Sequence, residues 1–115
     1  MPLNSKEIAD LIQRGGSEAV NILTKTLLNS NWPDCDRIAR ALAEIGSDDA
    51  KFGLLSALKG RRHHIRSAAI KALAKLGGNE VRTAIADLAT DPAYEVRQDV
   101  AEALRMLDNE IQKIG

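Results

Sequence analysis

The sequence predicts an all-α protein built from stacked helical hairpins, and three observations support this prediction. Apolar residues recur in register every 31 residues, as in the column Ala41, Ala72 and Ala103. Such self-similarity at a fixed spacing is typical of repeat proteins. Within a repeat the apolar residues follow steps of three and four, as one helix face requires, and no stretch alternates with period two. Aromatic residues make up only 3% of the chain, so the core must be aliphatic, which suits closely packed helices.

The repeat register rests on apolar columns that stay in phase across three copies. The five columns are Ile38, Ala69, Val100; Ala39, Ile70, Ala101; Ala41, Ala72, Ala103; Leu42, Leu73, Leu104; and Ile45, Leu76, Leu107. The N-terminal copy matches less closely but keeps the register, since Leu11 aligns with Leu42. We therefore predict one domain of about three and a half repeats. The domain spans 1–115, with repeats at about 4–31, 32–62 and 63–93 and an incomplete repeat at 94–115.

Each repeat is expected to contain two helices joined by short turns. Gly15, Gly46 and Gly77 follow the first helices of three repeats, and glycine is common just after the last turn of a helix. Asp91-Pro92 ends the second helix of the third repeat. In chain order, the predicted helices span about 4–14, 17–29, 34–45, 48–59, 64–76, 79–90 and 94–107. Because the links are short, neighbouring helices should be antiparallel.

Two interpretations of residues 108–115 remain open at this point. Asn109-Glu110-Ile111 is similar to Asn79-Glu80-Val81, which suggests the beginning of an eighth helix. Alternatively, the apolar series Leu104, Leu107, Ile111 and Ile114 extends the seventh helix as an end cap. We favour the extension, because a helix of about five residues is not stable alone.

The motif residues of the last two repeats resemble a known family. Counted with the turn that precedes it, the last repeat contains Asp91-Pro92, Glu95-Val96-Arg97, Ala101, Ala103-Leu104 and Leu107. The third repeat contains Ile65-Arg66, Ala69, Ala72-Leu73 and Leu76-Gly77. These motifs resemble the HEAT repeat, in the short form also found in phycobilisome-lyase-type proteins. The resemblance implies a right-handed α-solenoid whose second helices line the concave surface and whose usual activity is binding other proteins.

The chain departs from this family pattern at the turns. In the family, an Asp in the turn and an Arg in the first helix often form a ladder between repeats. Only the last repeat keeps both residues, Asp91 and Arg97, whereas the third has Gly60 with Arg66. The second has Asn29 and Cys35, so a continuous ladder is not expected through the N-terminal half.

Composition excludes several classes of protein. Sixteen basic and sixteen acidic residues cancel, which argues against a globally basic nucleic-acid binder. The single Cys35 cannot form an internal disulfide, which favours a reducing compartment. No apolar run approaches the length of a membrane span, and no signal peptide is evident. We therefore expect a cytoplasmic protein that does not enter the membrane.

The sequence offers no catalytic, cofactor-binding or metal-binding site. No phosphate-binding glycine loop occurs, and the spacing of Cys35, His63 and His64 does not suit zinc. Adjacent histidines on a helix point about 100° apart, so we expect His63 and His64 to be turn residues. We expect a non-enzymatic protein without a cofactor.

Charge is unevenly distributed along the chain. Between Lys59 and Gly78 there are six basic residues and no acid, whereas residues 79–115 contain eight acids and four bases. One interpretation is that these charges pair between stacked repeats. The other is a basic ridge over 59–75, including Arg61 and Arg62, that binds an acidic protein surface or a nucleic-acid backbone.

Trp32, His63 and Tyr94 share one position of the repeat register, each just ahead of a first helix. They either pack over the neighbouring repeat or form a row of exposed planar side chains suited to recognition. Both interpretations stay open.

We predict a scaffold or adaptor that binds another protein through its helical-repeat surface. The second helices present one candidate surface, comprising Asn21, Lys25, Lys51, Ser56, Arg82 and Asp87. Alternatives are an accessory subunit of a bilin-lyase-like enzyme, which the resemblance suggests, and a nucleic-acid binder that uses the basic ridge. Weak self-association through the C-terminal helix is also expected, because its apolar residues have no second helix to cover them.

Overall fold

A computed structural model describes the backbone of residues 3–114 and the side chains of residues 3–109. Over this part the chain is entirely helical, without strands. The helices are α1 Ser5–Arg14, α2 Ser17–Leu28, α3 Asp34–Ile45, α4 Asp48–Ala57, α5 His63–Leu76, α6 Asn79–Ala86 and α7 Tyr94–Ile114. The predicted all-α class is confirmed.

Local sequence signals determine where most helices begin and end. Asn4 and Glu7 form a reciprocal capping box at the start of α1, and the Ser47 hydroxyl accepts from the backbone N–H of Ala50 at the start of α4. Gly15 and Gly46 end α1 and α3 in the left-handed conformation, with φ of 67° and 66°, which glycine adopts at no steric cost.

Two helices, α4 and α6, end two or more residues earlier than predicted. Both tighten at their C-terminal ends, where the N–H of Leu58 donates to the carbonyl of Leu55 and that of Leu88 to the carbonyl of Ile85. These bonds join residues three apart instead of four, as is common where a helix ends. The apolar pattern continues through these tightened turns. For this reason the sequence predicts that the two helices end at 59 and 90.

The helices form two layers of an α-solenoid. The first helices α1, α3, α5 and α7 pack side by side in chain order, and each second helix lies against its neighbouring first helices. In the second layer α2 contacts α4 closely, whereas α4 and α6 are further apart. Gly53 permits the close approach of α2 and α4, because a Cβ at this position would lie 2.5 Å from Thr24 Oγ1.

The repeat columns form the core between the layers. Ile38, Leu42, Ala69 and Leu73 are completely buried, as is expected for positions that face the neighbouring repeats. Leu104, the C-terminal counterpart of Leu73, is only half-buried. The side chain in this column is therefore less buried at the C-terminal end of the array than in the middle repeats.

The C-terminal segment continues α7 to Ile114 and does not begin an eighth helix. Leu107 is buried and Leu104 is half-buried, so the two are partly covered within the chain. The side chains of Ile111 and Ile114, which the sequence pattern places on the same apolar face, lie outside the described residues. The predicted self-association through this helix stays a prediction.

Candidate protein-binding surface

The turns before α3, α5 and α7 lie side by side along one edge of the solenoid. We call these turns, together with the first residues of α5 and α7, the turn edge; it comprises residues 29–33, 60–64 and 91–95. His63 and His64, which we expected in the turn, are the first two residues of α5. Each segment occupies the same position in its repeat, because the three are offset by one repeat length. The turn edge includes five of the predicted partner-binding residues: Trp32, Arg61, Arg62, His63 and Tyr94.

A buried ion pair joins the second and third turns. The guanidinium of Arg66 donates two hydrogen bonds to the carboxylate of Asp91, from Nε at 2.8 Å and from Nη2 at 3.0 Å. Its Nη1 also donates to the carbonyl oxygens of Gly60 and Arg61, at 2.9 and 3.1 Å. The side chains of Arg66 and Asp91 are only 13% and 4% exposed. We call this arrangement the Arg66–Asp91 clamp.

The clamp alters the ionisation of Asp91. Hydrogen bonds from Arg66 lower the pKa of the Asp91 carboxyl, and they outweigh the opposing effect of burial. The backbone N–H of Ala93 also donates to this carboxylate, at 2.9 Å. Arg97 completes the turn by donating to the carbonyl oxygen of Asp91 at 2.7 Å. The third turn is therefore held by bonds to both α5 and α7.

Weaker contacts join the remaining neighbours. Arg62 donates to the carbonyl oxygen of Ser30 at 3.1 Å and to the side-chain oxygen of Asn31 at 3.0 Å. His63 Nε2 lies 3.6 Å from Glu95 Oε2. These contacts lie at the exposed surface, so they contribute less than the buried clamp.

Trp32 and Tyr94 are exposed on this edge, at 66% and 64%. Their rings therefore do not cover a neighbouring repeat, and of the two interpretations the structure supports the exposed row. The Tyr94 hydroxyl accepts from Gln98 Nε2 at 2.6 Å, and the Arg97 guanidinium lies 5.7 Å from its ring centroid. Two side chains of α7 therefore hold the Tyr94 ring in place. Most of the Trp32 side chain is exposed to solvent.

The basic segment 59–75 does not form the single ridge that the sequence suggested. Its turn residues Lys59 and Arg61 are exposed, but Arg66 is enclosed by the clamp. Further along α5, Lys71 points to the other face of the first-helix layer, where its Nζ lies 3.4 Å from Asp36. A run of one charge sign in sequence is divided in space because a turn and a helix present successive residues in different directions.

Two basic residues of the predicted second-helix face are paired with acids of the following repeat. Lys51 Nζ lies 3.2 Å from Glu80, and Arg82 donates to Asp108 at 2.8 Å. Asp108 raises the pKa of Arg82 through this hydrogen bond. These two bases connect neighbouring repeats, whereas Lys25 forms no ion pair among residues 3–109.

Phe52 is an exposed aromatic residue on this face that the sequence analysis missed. Its side chain is 71% exposed and lines a groove between α4 and α6 with Asp48, Lys51, Leu55 and Glu80. The signal was present in the repeat register, because Phe52 occupies the column of Asn21 and Thr83. An aromatic residue in an otherwise polar column indicates a specialised position.

Three further features concern metal binding, the single cysteine and the membrane. Within that part no group of three or more His, Cys, Asp and Glu side chains could hold a metal ion. Cys35 is buried, and burial raises the pKa of its thiol. No helix described by the structure is both long and apolar enough to span a membrane.

Comparison with known proteins agrees with the architecture. No curated protein sequence matches this chain. Among solved structures, human deoxyhypusine hydroxylase in complex with glycerol is similar, with a TM-score of 0.73 and 23% sequence identity. The match covers 90% of this chain and 36% of the hydroxylase chain. At this level of identity the similarity shows a shared fold alone, and this chain spans little more than a third of that protein.

The sequence pattern of the family described as HEAT repeats matches residues 23–105. This range extends from α2 into α7, and it includes the clamp and the three turns of the turn edge. The repeat register, the two-layer packing and the family pattern agree. The chain therefore belongs to the HEAT-repeat family.

Proposed function

We propose that this chain is a non-enzymatic protein-binding module and that it binds an acidic segment of its partner along the turn edge. The observation that carries the proposal is the exposure of Trp32 and Tyr94, at 66% and 64%, at equivalent positions in two repeats. Tryptophan, tyrosine and arginine are the residue types that most often dominate binding energy at protein interfaces. The turn edge combines all three types.

The backbone of the turn edge is already fixed in the free chain. The clamp binds the carbonyl oxygens of Gly60 and Arg61, and Arg97 binds that of Asp91. A surface that is ordered before binding loses less conformational entropy when the partner docks. This arrangement favours a binding role for the exposed side chains between those bonds.

The charges along the edge favour an acidic partner. Lys59 and Arg61 form no ion pair with any residue between 3 and 109. The nearby carboxylates are already engaged, since Asp91 binds Arg66 and Glu95 faces His63. The uncompensated charge is therefore positive, and complementary charge mainly accelerates association.

Trp32 provides a direct experiment, because it is the only tryptophan in the chain. A synthetic peptide that alternates glutamate with leucine should change the fluorescence of Trp32 in a saturable manner, and added salt should weaken its binding. Arg61→Gln should weaken binding several-fold, because it removes one uncompensated charge from the edge.

A matched control is Lys25→Gln, which removes the same charge from the second helix α2. Binding by this variant should equal that of the wild type. Equal loss in both variants, or a fluorescence change that does not saturate, would contradict the proposed surface.

Phe52 supports a second candidate surface for the same function. Its exposed ring and the adjoining groove could anchor an apolar side chain of a partner. Phe52→Ser should leave the glutamate–leucine peptide bound to the turn edge. Loss of peptide binding in this variant would move the proposed function to the second-helix face.

The other sequence-based alternatives receive less support. The division of the basic segment between two faces removes the continuous positive surface that nucleic acid favours. No observation on the described residues favours an accessory role in a bilin-lyase-like enzyme.

A further inference from the structure

A groove between α3 and α5 lies on the outer face of the first-helix layer, away from the turn edge. Its volume is about 150 Å³ and its lining residues are Asp36, Arg40, Ala68, Lys71, Ala72 and Lys75. The two alanines form a low floor, and the longer charged side chains form the walls. The α3–α5 groove therefore brings together three cationic side chains and one carboxylate.

Only one of these cations is neutralised by a neighbour. Lys71 Nζ lies 3.4 Å from Asp36 Oδ1. Neither Arg40 nor Lys75 forms an ion pair with any residue in the 3–109 range. Within the lining of the groove, two of the three cations therefore lack an acidic partner.

The residues that line the groove carry three positive charges and one negative charge. Lys71 and Lys75 also line an adjoining groove with Asp99 and Glu102 of α7. Like charges held close together repel one another, and a bound anion would remove this repulsion. The repeat register places Arg40 and Lys71 in one column, while Glu102 occupies that column in the last repeat. The positive charge is therefore specific to the two middle repeats.

The residue types match a phosphate monoester. Arginine can donate two parallel hydrogen bonds to phosphate oxygens, and lysine provides a compact positive charge. A phosphoserine or phosphothreonine carries close to two negative charges at pH 7 and has three acceptor oxygens. Arg40 from α3 and the two lysines from α5 could contact such a group from opposite walls.

The lining argues against nucleotides and nucleic acid. No aromatic side chain lines the α3–α5 groove, so a base has no ring on which to stack. The carboxylate of Asp36 could instead accept a hydrogen bond from a peptide N–H beside the phosphate.

We propose that the α3–α5 groove binds a phosphorylated serine or threonine of a partner protein through Arg40, Lys71 and Lys75. This site is separate from the turn edge, and it does not depend on the proposed function of that edge. Lys71 lies nine residues beyond Arg62, which corresponds to about 13 Å along a helix.

Nuclear magnetic resonance of the ¹⁵N-labelled chain tests this proposal with N-acetyl-phosphoserine amide at constant ionic strength. We expect saturable shifts of the amide signals of Ala68, Lys71 and Ala72. Arg40→Gln and Lys75→Gln should each weaken binding about tenfold, as the loss of one charge-assisted hydrogen bond implies. Asp36→Asn should strengthen binding, because it removes the competing carboxylate.

The matched control is Lys25→Gln, which removes one positive charge from the second helix α2 and should leave the affinity within about twofold. Equal weakening by Lys25→Gln and Arg40→Gln would show general charge attraction and overturn the proposal. So would the absence of a saturable shift. Tighter binding of adenosine monophosphate than of the phosphoserine probe would identify a nucleotide site and overturn the assignment to a protein partner.

Discussion

The two junctions along the turn edge have the same position in the repeat but different chemistry. Arg62 joins the first and second turns through exposed hydrogen bonds to Ser30 and Asn31. The Arg66–Asp91 clamp joins the second and third turns through a buried, two-bond ion pair. The difference arises because Cys35 occupies the position of Arg66 in the preceding repeat.

The repeat register therefore determines where a junction lies, but it does not determine how strongly the two turns are held together. Both junctions leave the same planar position exposed, as Trp32 and Tyr94 show. The C-terminal junction should resist local opening more strongly, because a buried ion pair is costly to break. The N-terminal junction depends mainly on the aliphatic core beneath it.

The largest expected effect comes from the core that both junctions share. Leu73→Ala should lower the free energy of unfolding by about 2–5 kcal/mol, because Leu73 is completely buried and the substitution leaves a cavity. Chemical denaturation followed by circular dichroism measures this change. A loss below about 0.5 kcal/mol would show that the repeat phase is wrong.

Arg66→Ala should have the next largest effect, about 3 kcal/mol, because it leaves the Asp91 carboxylate buried and unpaired. The double variant Arg66→Ala with Asp91→Ala should recover part of this loss, since no uncompensated charge then remains. Thermal unfolding of the single and double variants measures the coupling. Additive losses in the two single variants would contradict a coupled clamp.

The clamp should also give the chain a specific acid sensitivity. The pKa of Asp91 is lowered in the folded chain, so its contribution is complete above the unfolded value of about 3.9 and is lost as pH falls towards the folded value. The stability of the wild type should therefore decline below about pH 4 more steeply than that of Asp91→Asn. Parallel pH profiles for the two proteins would argue against the clamp.

Arg62→Ala should have the smallest effect on folding, about 0.5–1 kcal/mol, because its hydrogen bonds are exposed. Sequence alone suggested that Arg61 and Arg62 are equivalent turn residues. The structure distinguishes them, so Arg61→Ala should change stability by less than about 0.5 kcal/mol. Equal losses in the two variants, measured by denaturant unfolding, would remove this distinction.

Sequence predicted the architecture well because helical repeats are encoded by local periodicity. The predicted beginnings at 17, 34, 48, 79 and 94 agree with the observed helices. The continuation of α7 could be anticipated from the apolar series at its end. In contrast, the ends of α4 and α6 were misplaced, because apolar periodicity does not reveal a switch to tighter hydrogen bonds.

The candidate surfaces were less predictable because they depend on pairing across repeats. The linear sequence shows that Arg66 and Lys71 are both basic, but not that one binds Asp91 and the other faces Asp36. Phe52 was overlooked although its column contains polar residues in the other repeats. Comparing each residue with its repeat column identifies such positions more reliably than charge counts do.

The most direct test of the protein-binding account is to map the bound glutamate–leucine peptide on the ¹⁵N-labelled chain. The account predicts that amide shifts concentrate in residues 29–33, 60–64 and 91–95 and in the Trp32 indole signal. The amide exchange of the clamp residues should be slow in the free chain and unchanged by the peptide, as expected for a surface formed before binding. Shifts confined to α4 and α6 around Phe52, with no change at Trp32, would contradict the account.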